Sequence, residues 1–154
     1  MFYIFEMANN HQGSVSHPKK IIDEFSALAK EKGISAGIKF QFRQLDTFIH
    51  NQFKQSELKF VKRFNSTRLE KDQFNEIIEH ARSTGLKIIA TPFDNDSIPW
   101  LSDLGVDIVK VASCSSDDLP LLKELATINK KIIISTGGVE LPHLKKVHDL
   151  FVKN

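Results

Sequence analysis

The sequence has little of several features that define whole classes of proteins. It contains one cysteine, Cys114, so no disulfide can form within the chain. It shows no long apolar run, and we therefore expect neither a membrane span nor a secretory leader. Its 21 basic and 19 acidic residues leave a formal charge of only +2. Such a small charge predicts no nucleic-acid or membrane partner, and we expect a cytoplasmic protein.

The composition is that of a globular protein. Hydrophobic residues make up 41% and charged residues 26% of the 154 residues, enough to bury a sizeable core. No low-complexity segment or linker interrupts the chain. We therefore expect one domain that spans residues 1–154.

Five short runs of β-branched and aromatic residues carry the fold prediction. Each run is apolar for most of its length and has its polar residues late, as Ile88 to Asp94 illustrates. Strands covered by helices on both faces have this pattern, so we predict parallel strands. The predicted strands are residues 2–6, 36–42, 86–91, 107–111 and 131–135.

Segments with helical spacing separate the predicted strands. We expect helices from residue 17 to the stop at Gly33, and over residues 70–84, 96–104, 118–128 and 141–153. The connection 43–67 is much longer than usual for such a fold. Because it contains many apolar residues, we predict an ordered excursion with a short helix near residues 56–63.

Five consecutive β–α units predict an α/β fold. Spacing leaves two architectures open, namely the first five units of a TIM-type barrel or a five-stranded doubly wound sheet. The order of the strands distinguishes them. Sequential neighbours support the partial barrel, whereas the order 2-1-3-4-5 supports the doubly wound sheet.

Polar residues at the carboxyl ends of the strands are the candidate site residues. Lys39 and Lys110 lie within strands, where a lysine is costly to bury without an anion. Three hydroxyl residues close successive strands, namely Thr91, Ser113 and Ser135. Gly137 and Gly138 follow the last of them and leave backbone N–H groups free for an oxyanion. Together these residues predict a site for a phosphate or a carboxylate.

Each of these residues also has a simpler interpretation. Glu6 can pair with Lys39 on the next strand, with His11 as a solvated loop residue. Hydroxyls commonly cap helices. The long connection contains four basic residues, namely Lys59, Lys62, Arg63 and Arg68. They fit either an anion site or a solvated helix face. Cys114 has no convincing histidine partner for a nucleophilic role, and the remaining histidines show no metal-ligand spacing.

Five stretches resemble the motifs of one known family. They are EMANNHQG (6–13), IKFQ (38–41), ATPFD (90–94), KVAS (110–113) and STGG (135–138). In this order and spacing they are similar to the sialic acid synthase family, also called the N-acetylneuraminate synthase or NeuB-like family. The resemblance runs from residue 2 to about residue 151. It implies a TIM barrel, of which this chain would form the N-terminal portion.

The resemblance also implies a reaction and roles for individual residues. The family consists of transferases of carbohydrate biosynthesis that condense phosphoenolpyruvate with an N-acylated amino-sugar, such as N-acetylmannosamine, and release phosphate. Lys39 and Lys110 resemble the phosphoenolpyruvate-binding lysines of the family. Thr91, Ser113 and Ser135 resemble its phosphate- and carboxylate-binding hydroxyls. Glu6 and Gln41 resemble catalytic groups near the sugar.

The chain departs from the family pattern at two points. Ser115 stands where family members commonly have a glutamate, and a serine is no base at neutral pH without an activating partner. The family holds a divalent metal, Mn or Mg, with histidines on later strands, and an antifreeze-like domain follows. We expect both beyond Asn154, so that this chain alone is incomplete for catalysis and has open sheet edges that favour homo-oligomers. The alternative is a non-enzymatic module that binds phosphorylated metabolites.

Overall fold

The computed structural model describes residues 1–152, and its centre is a sheet of five strands. The strands are β1 (Phe2–Glu6), β2 (Ser35–Phe42), β3 (Lys87–Pro92), β4 (Ile108–Val111) and β5 (Lys131–Ile134). Every strand predicted from the sequence is confirmed to within one residue at each end. Continuous apolar runs therefore located the buried strands correctly.

Within residues 1–152, seven α-helices connect and follow the strands. They are α1 (Ser16–Glu31), α2 (Leu45–Phe48), α3 (Lys59–Ser66), α4 (Lys71–Ser83), α5 (Ile98–Asp103), α6 (Leu119–Leu125) and α7 (Leu141–Val152). Short 3-10 turns cover Asn51–Phe53, Asn95–Ser97 and Ser113–Ser115. Residue 153, the predicted end of the last helix, lies outside the described residues.

Two predicted helices are shorter than expected. The segment 96–104 begins with a 3-10 turn, because the Asp94 side chain accepts a hydrogen bond from the Ser97 N–H at 2.8 Å. The helix predicted over 118–128 ends at Leu125, where the Thr127 hydroxyl bonds back to the Glu124 carbonyl at 2.8 Å. Side-chain bonds of this kind compete with the regular helical pattern.

All strand pairs are parallel, and each strand lies beside its neighbours in the sequence, in the order β1-β2-β3-β4-β5. This order is that of the first five units of a TIM-type barrel, curled into a half-barrel. The doubly wound alternative is therefore wrong, because it requires β1 between β2 and β3.

The main core lies between the outer face of the sheet and the helices. Alternate residues of β2, namely Ile38, Phe40 and Phe42, belong to this core. Phe74 of α4 is the centre of its aromatic contacts, with edge-to-face rings of Phe42 at 5.1 Å and Trp100 at 6.0 Å. Because side chains alternate along a strand, the residues between these core positions face the interior of the half-barrel.

Local signals define the helix ends. Glu70 and Gln73 form a capping box at the start of α4, each side chain accepting a bond from the other's backbone N–H. Gly33 ends the first β–α unit at φ +60°, a conformation that costs other residues free energy.

The long connection is ordered, as predicted. Leu45, Ile49 and Val61 form a small core of their own, against which Phe64 packs. Its helical segment near the predicted residues 56–63 is α3, shifted to Lys59–Ser66, and α2 was not predicted.

Within residues 1–152 no helix combines the length and the apolar content needed to cross a membrane.

Candidate active site at the carboxyl ends of the strands

Lys39 and Glu6 form an ion pair across two neighbouring strands. They are direct partners in the register of β1 and β2, and the Lys39 ammonium contacts a Glu6 carboxylate oxygen. Lys39 is only 7% exposed, whereas the Glu6 side chain is about half exposed. The simpler interpretation of this pair is thus what the structure shows. A buried ammonium requires such a partner, and the open side of Glu6 leaves the pair accessible to a ligand.

Lys110 lies two strands further along the same face. Its Nζ donates a hydrogen bond of 2.8 Å to the Ser135 Oγ and reaches the Val111 carbonyl at 3.4 Å. Burial and the nearby charge of Lys39 lower the pKa of Lys110, while the Glu6 carboxylate acts in the opposite direction. The two lysines therefore contribute to one positive region, which raises its affinity for an anion.

Gln41 and Thr91 occupy the next row of the interior. They are register partners on β2 and β3. Thr91 is 1% exposed, and within residues 1–152 its Oγ1 has no hydrogen-bond partner. A buried hydroxyl without a partner is costly, so this position is suited to receive a polar atom of a ligand or water.

Ser113 borders a cavity of about 530 Å³. The cavity lies between the loops that follow β4 and β5, and Cys114, Asp117, Gly138 and His143 also line it. Gly137 and Gly138 have open space where a side chain would begin, which is compatible with the predicted role in an oxyanion cradle.

Ser115, at the position where the family commonly has a glutamate, does not supply a base. It is buried in the 3-10 turn, where its N–H bonds to the Ala112 carbonyl at 3.0 Å. Asp117 lines the neighbouring cavity and is the nearest acidic replacement in the sequence.

Arg43 is a site residue that the sequence reasoning missed. Its Nη2 donates a hydrogen bond of 2.9 Å to the Gln41 Oε1, and its guanidinium lies 3.8 Å from the centre of the Phe93 ring. The available signal was alternation, because Arg43 continues the face of Lys39 and Gln41 by two more residues. The strand was predicted to end at residue 42, and Arg43 was therefore assigned to the connection.

His11 is buried, contrary to its interpretation as a solvated loop residue. It is 4% exposed, its Nδ1 accepts the Gly13 N–H at 3.2 Å, and its ring meets the edge of Phe74 at 5.8 Å. Burial, and secondly the charge of Arg43, lower the pKa of His11 to about 4. The ring is thus neutral at pH 7, with its proton on Nε2.

The basic residues of the long connection do not converge on one site. Arg68 bonds to Asp46 at 2.9 and 3.0 Å and to Glu70 at 2.7 Å, and these bonds raise its pKa. Lys62 pairs with Glu57 on the surface. Both residues are therefore engaged in ion pairs on the exposed surface, Lys62 on α3 and Arg68 between α3 and α4, which favours the simpler interpretation.

The expected divalent metal does not fit the donors present in residues 1–152. In this part of the chain no three His, Cys, Asp or Glu side chains lie together in an arrangement that could hold a metal ion. Lys39, Lys110 and the hydroxyls around them are poor ligands for Mn or Mg, which prefer carboxylates, carbonyls and water.

The fold and the site define an α/β half-barrel with a cationic, hydroxyl-lined mouth at the carboxyl ends of its strands. The chain belongs to the NeuB family, whose family model matches residues 26–154.

Relatives and solved structures agree with this assignment. The chain is 31% identical to the N,N'-diacetyllegionaminic acid synthase of Campylobacter jejuni, over 98% of this chain and 46% of the relative. A crystal structure described as a spore coat polysaccharide biosynthesis protein E from Chromobacterium violaceum superposes with a TM-score of 0.95 at 38% identity, covering 99% of this chain and 46% of that one.

A sialic acid synthetase from Leptospira borgpetersenii, solved in complex with citrate, superposes with a TM-score of 0.79 at 27% identity. This match covers 99% of the present chain and 50% of the synthetase. The chain thus spans about half the length of the relatives that it matches.

Proposed function

We propose that the carboxyl ends of the strands form the phosphoenolpyruvate half-site of a nonulosonic acid synthase. Its binding residues are Lys39, Thr91, Lys110, Ser113 and Ser135. The parent reaction is the condensation of phosphoenolpyruvate with an N-acylated amino-sugar, such as N-acetylmannosamine. The observation that carries the proposal is the arrangement of Lys39 and Lys110 on one interior face, the second bonded to Ser135 at 2.8 Å. Membership of the NeuB family supports it.

The charges of the site suit a ligand with two anionic groups. Phosphoenolpyruvate carries a phosphate and a carboxylate, and the two lysines offer one cation to each. The hydroxyls of Thr91, Ser113 and Ser135 add neutral donors, of which the Thr91 Oγ1 has no partner within residues 1–152. Fixed donors of this kind bind anions without reorganisation, because the fold has already placed them.

The proposed reaction balances without an oxidant or a reductant. The methylene carbon of phosphoenolpyruvate forms a C–C bond with the aldehyde carbon of the sugar, whose oxygen takes up a proton. Water adds its oxygen to C2 of the former phosphoenolpyruvate, and the bond between C2 and the phosphate oxygen breaks to release phosphate. The two protons of this water go to the former aldehyde oxygen and to the released phosphate. Glu6 is the acidic group placed beside Lys39, where a proton can be held or passed on. Gln41 offers its amide to the sugar.

Calorimetric titration with phosphoenolpyruvate tests the half-site. We expect measurable binding that Lys110→Ala weakens about tenfold or more, as for the loss of a charged hydrogen-bond donor. Lys62→Ala is the matched control, because this lysine is 57% exposed and paired on the surface. It should change affinity less than about twofold, since exposed charges are screened.

The same titration with inorganic phosphate indicates which group of the ligand Lys110 holds. A large loss of phosphate affinity in Lys110→Ala means that Lys110 holds the phosphate of phosphoenolpyruvate. A small loss means that Lys110 holds its carboxylate. Equal losses of phosphoenolpyruvate affinity in the Lys110 and Lys62 variants would overturn the proposal, because they would place the anion in the long connection.

A further inference from the structure

Arg43 is held in an aromatic cage at the start of the long connection. Its guanidinium carbon lies 3.8 Å from the ring centre of Phe93, 4.8 Å from that of Phe64 and 6.0 Å from that of Phe48. Contacts of a guanidinium with aromatic faces are favourable, more so when water is excluded. Three rings from two separate parts of the chain thus restrict the position of this group.

The charge of Arg43 is retained in this environment. Burial lowers the pKa of Arg43 to about 10, and the Asp94 carboxylate acts against this effect. Asp94 is itself fixed, because its carboxylate accepts the N–H groups of Gln44 at 2.9 Å and Ser97 at 2.8 Å. At pH 7 the guanidinium is therefore a charged donor in a rigid setting.

The bond from Arg43 determines which way the Gln41 amide points. A guanidinium carries only donors, so the atom of Gln41 that meets Arg43 Nη2 at 2.9 Å must be the carbonyl oxygen Oε1. The Gln41 Nε2 is then directed away from Arg43, and within residues 1–152 its two N–H donors are available for another acceptor. Without Arg43, the amide could rotate by 180° at little cost.

We propose that Arg43 is a positioning residue, which acts through Gln41 by holding its amide so that the N–H donors are offered to an oxygen atom of the ligand. The inference rests on the proposed function for the identity of that ligand, the N-acylated amino-sugar. The orientation itself rests on the Arg43 cage and on the Gln41 bond. Arg43 need not touch the ligand, since its effect is transmitted by the amide.

Nuclear magnetic resonance tests the orientation without any ligand. In the wild-type protein we expect the Gln41 side-chain amide to be ordered, with an order parameter near that of rigid backbone, about 0.85. Arg43→Met keeps an apolar stem for the cage and removes the donors, and it should lower the value below about 0.6. Arg43→Lys restores a charge without the planar fork and should give an intermediate value.

Arg63→Met is the control, because Arg63 is an exposed arginine of the same connection. It should leave the Gln41 amide unchanged. If Arg43→Met does not fold, Arg43→Lys alone decides the question. A Gln41 amide that is as ordered in the folded Arg43 variant as in the wild type would overturn the proposal.

A double-mutant cycle tests whether the orientation serves binding. The probe is N-acetylmannosamine, titrated in the presence of phosphoenolpyruvate. We expect Arg43→Met to weaken its binding about fivefold to tenfold in the wild-type background and less than about twofold in a Gln41→Leu background. Equal losses in the two backgrounds would show a purely structural role and would overturn the positioning role.

The two experiments separate failure of the inference from failure of the proposed function. Absence of phosphoenolpyruvate binding by the wild type would reject the half-site, while the order parameters would still decide the orientation of Gln41. Binding of phosphoenolpyruvate but not of N-acetylmannosamine would reject the role of the Gln41 amide toward this sugar.

Discussion

Lys110 on β4 and Ser135 after β5 are joined by a hydrogen bond of 2.8 Å between the Nζ and the Oγ. The hydroxyl gives the ammonium one fixed direction on a strand where burial disfavours its charge. It thereby orders the donor that we assign to the anion.

Replacing Ser135 by alanine should weaken phosphoenolpyruvate binding about fivefold to tenfold. The estimate corresponds to one hydrogen bond, about 1 kcal/mol, because Lys110 keeps its charge but loses its orienting partner. Calorimetry measures the effect. The control is Ser83→Ala, which removes an exposed hydroxyl that bonds to the His80 carbonyl of its own helix. Unchanged affinity in Ser135→Ala would show that the hydroxyl has no part in binding.

Lys110→Met should weaken anion binding about tenfold or more, as Lys110→Ala does, and stabilise the fold. The pKa of Lys110 is lowered by folding, so the unfolded chain binds more protons between the lowered pKa and 10.5. Stability therefore rises with pH in that window, and the buried charge costs stability below it. Thermal unfolding at pH 7 should show a higher midpoint for Lys110→Met than for the wild type. The exposed Lys62→Met variant should unfold at the wild-type midpoint. A lower midpoint for Lys110→Met would contradict this prediction.

His11 should make the fold sensitive to mild acid. Its pKa is about 4 in the folded protein and 6.5 without the effects of the fold. The unfolded chain then binds the proton first, so stability falls as the pH decreases from about 6.5 to about 4, by up to about 3 kcal/mol. Urea unfolding across this range measures the loss, and titration of the His11 ring signals gives the pKa.

The His11→Gln variant should lose this part of the acid sensitivity. His148→Gln is the control, because the His148 side chain is 71% exposed. It should retain the wild-type dependence on pH. If stability depends on pH in the same way in His11→Gln and His148→Gln, a group other than His11 causes the acid sensitivity.

Two glycines of similar conformation allow a matched test of loop packing. Gly13 has φ +69° and Gly33 has φ +60°. A Cβ at Gly13 would lie 2.9 Å from the Ser66 carbonyl oxygen, whereas nothing lies within 4 Å at Gly33. We expect Gly33→Ala to cost about 1 kcal/mol, from the backbone alone, and Gly13→Ala about 2–4 kcal/mol. Equal costs in urea unfolding would show that the end of α3 at Ser66 moves aside at little cost in free energy.

The free edge of β1 should promote self-association. Among the described strands β1 pairs only with β2, and Phe2, Tyr3 and Ile4 are 38%, 42% and 37% exposed. Exposed apolar edge strands tend to pair with other chains. Light scattering of the 154-residue protein should therefore show a mass that rises with concentration, and Ile4→Lys should reduce it. A monomer over the whole range in wild type would contradict this.

Much of the fold could be predicted from local patterns. The apolar runs located all five strands, because β-branched and aromatic residues are concentrated in strands. The same patterns placed Lys39, Thr91, Lys110 and Ser135 at the carboxyl ends, since the alternation along a strand is a property of the backbone.

The tertiary structure decided how these residues meet. Strand order, and with it the half-barrel, depends on which edges pair, and residues far apart in the sequence determine that choice. The cage of Arg43 brings together Phe93 and Phe64, which lie far apart in the sequence. The burial of His11 depends on Phe74 of α4. By itself the sequence determined where the strands lie and that the candidate binding residues follow at their carboxyl ends. Only the packing of distant segments decided the orientation of Gln41 and the protonation of His11, because hydrogen-bond direction and desolvation depend on neighbours that local periodicity does not specify.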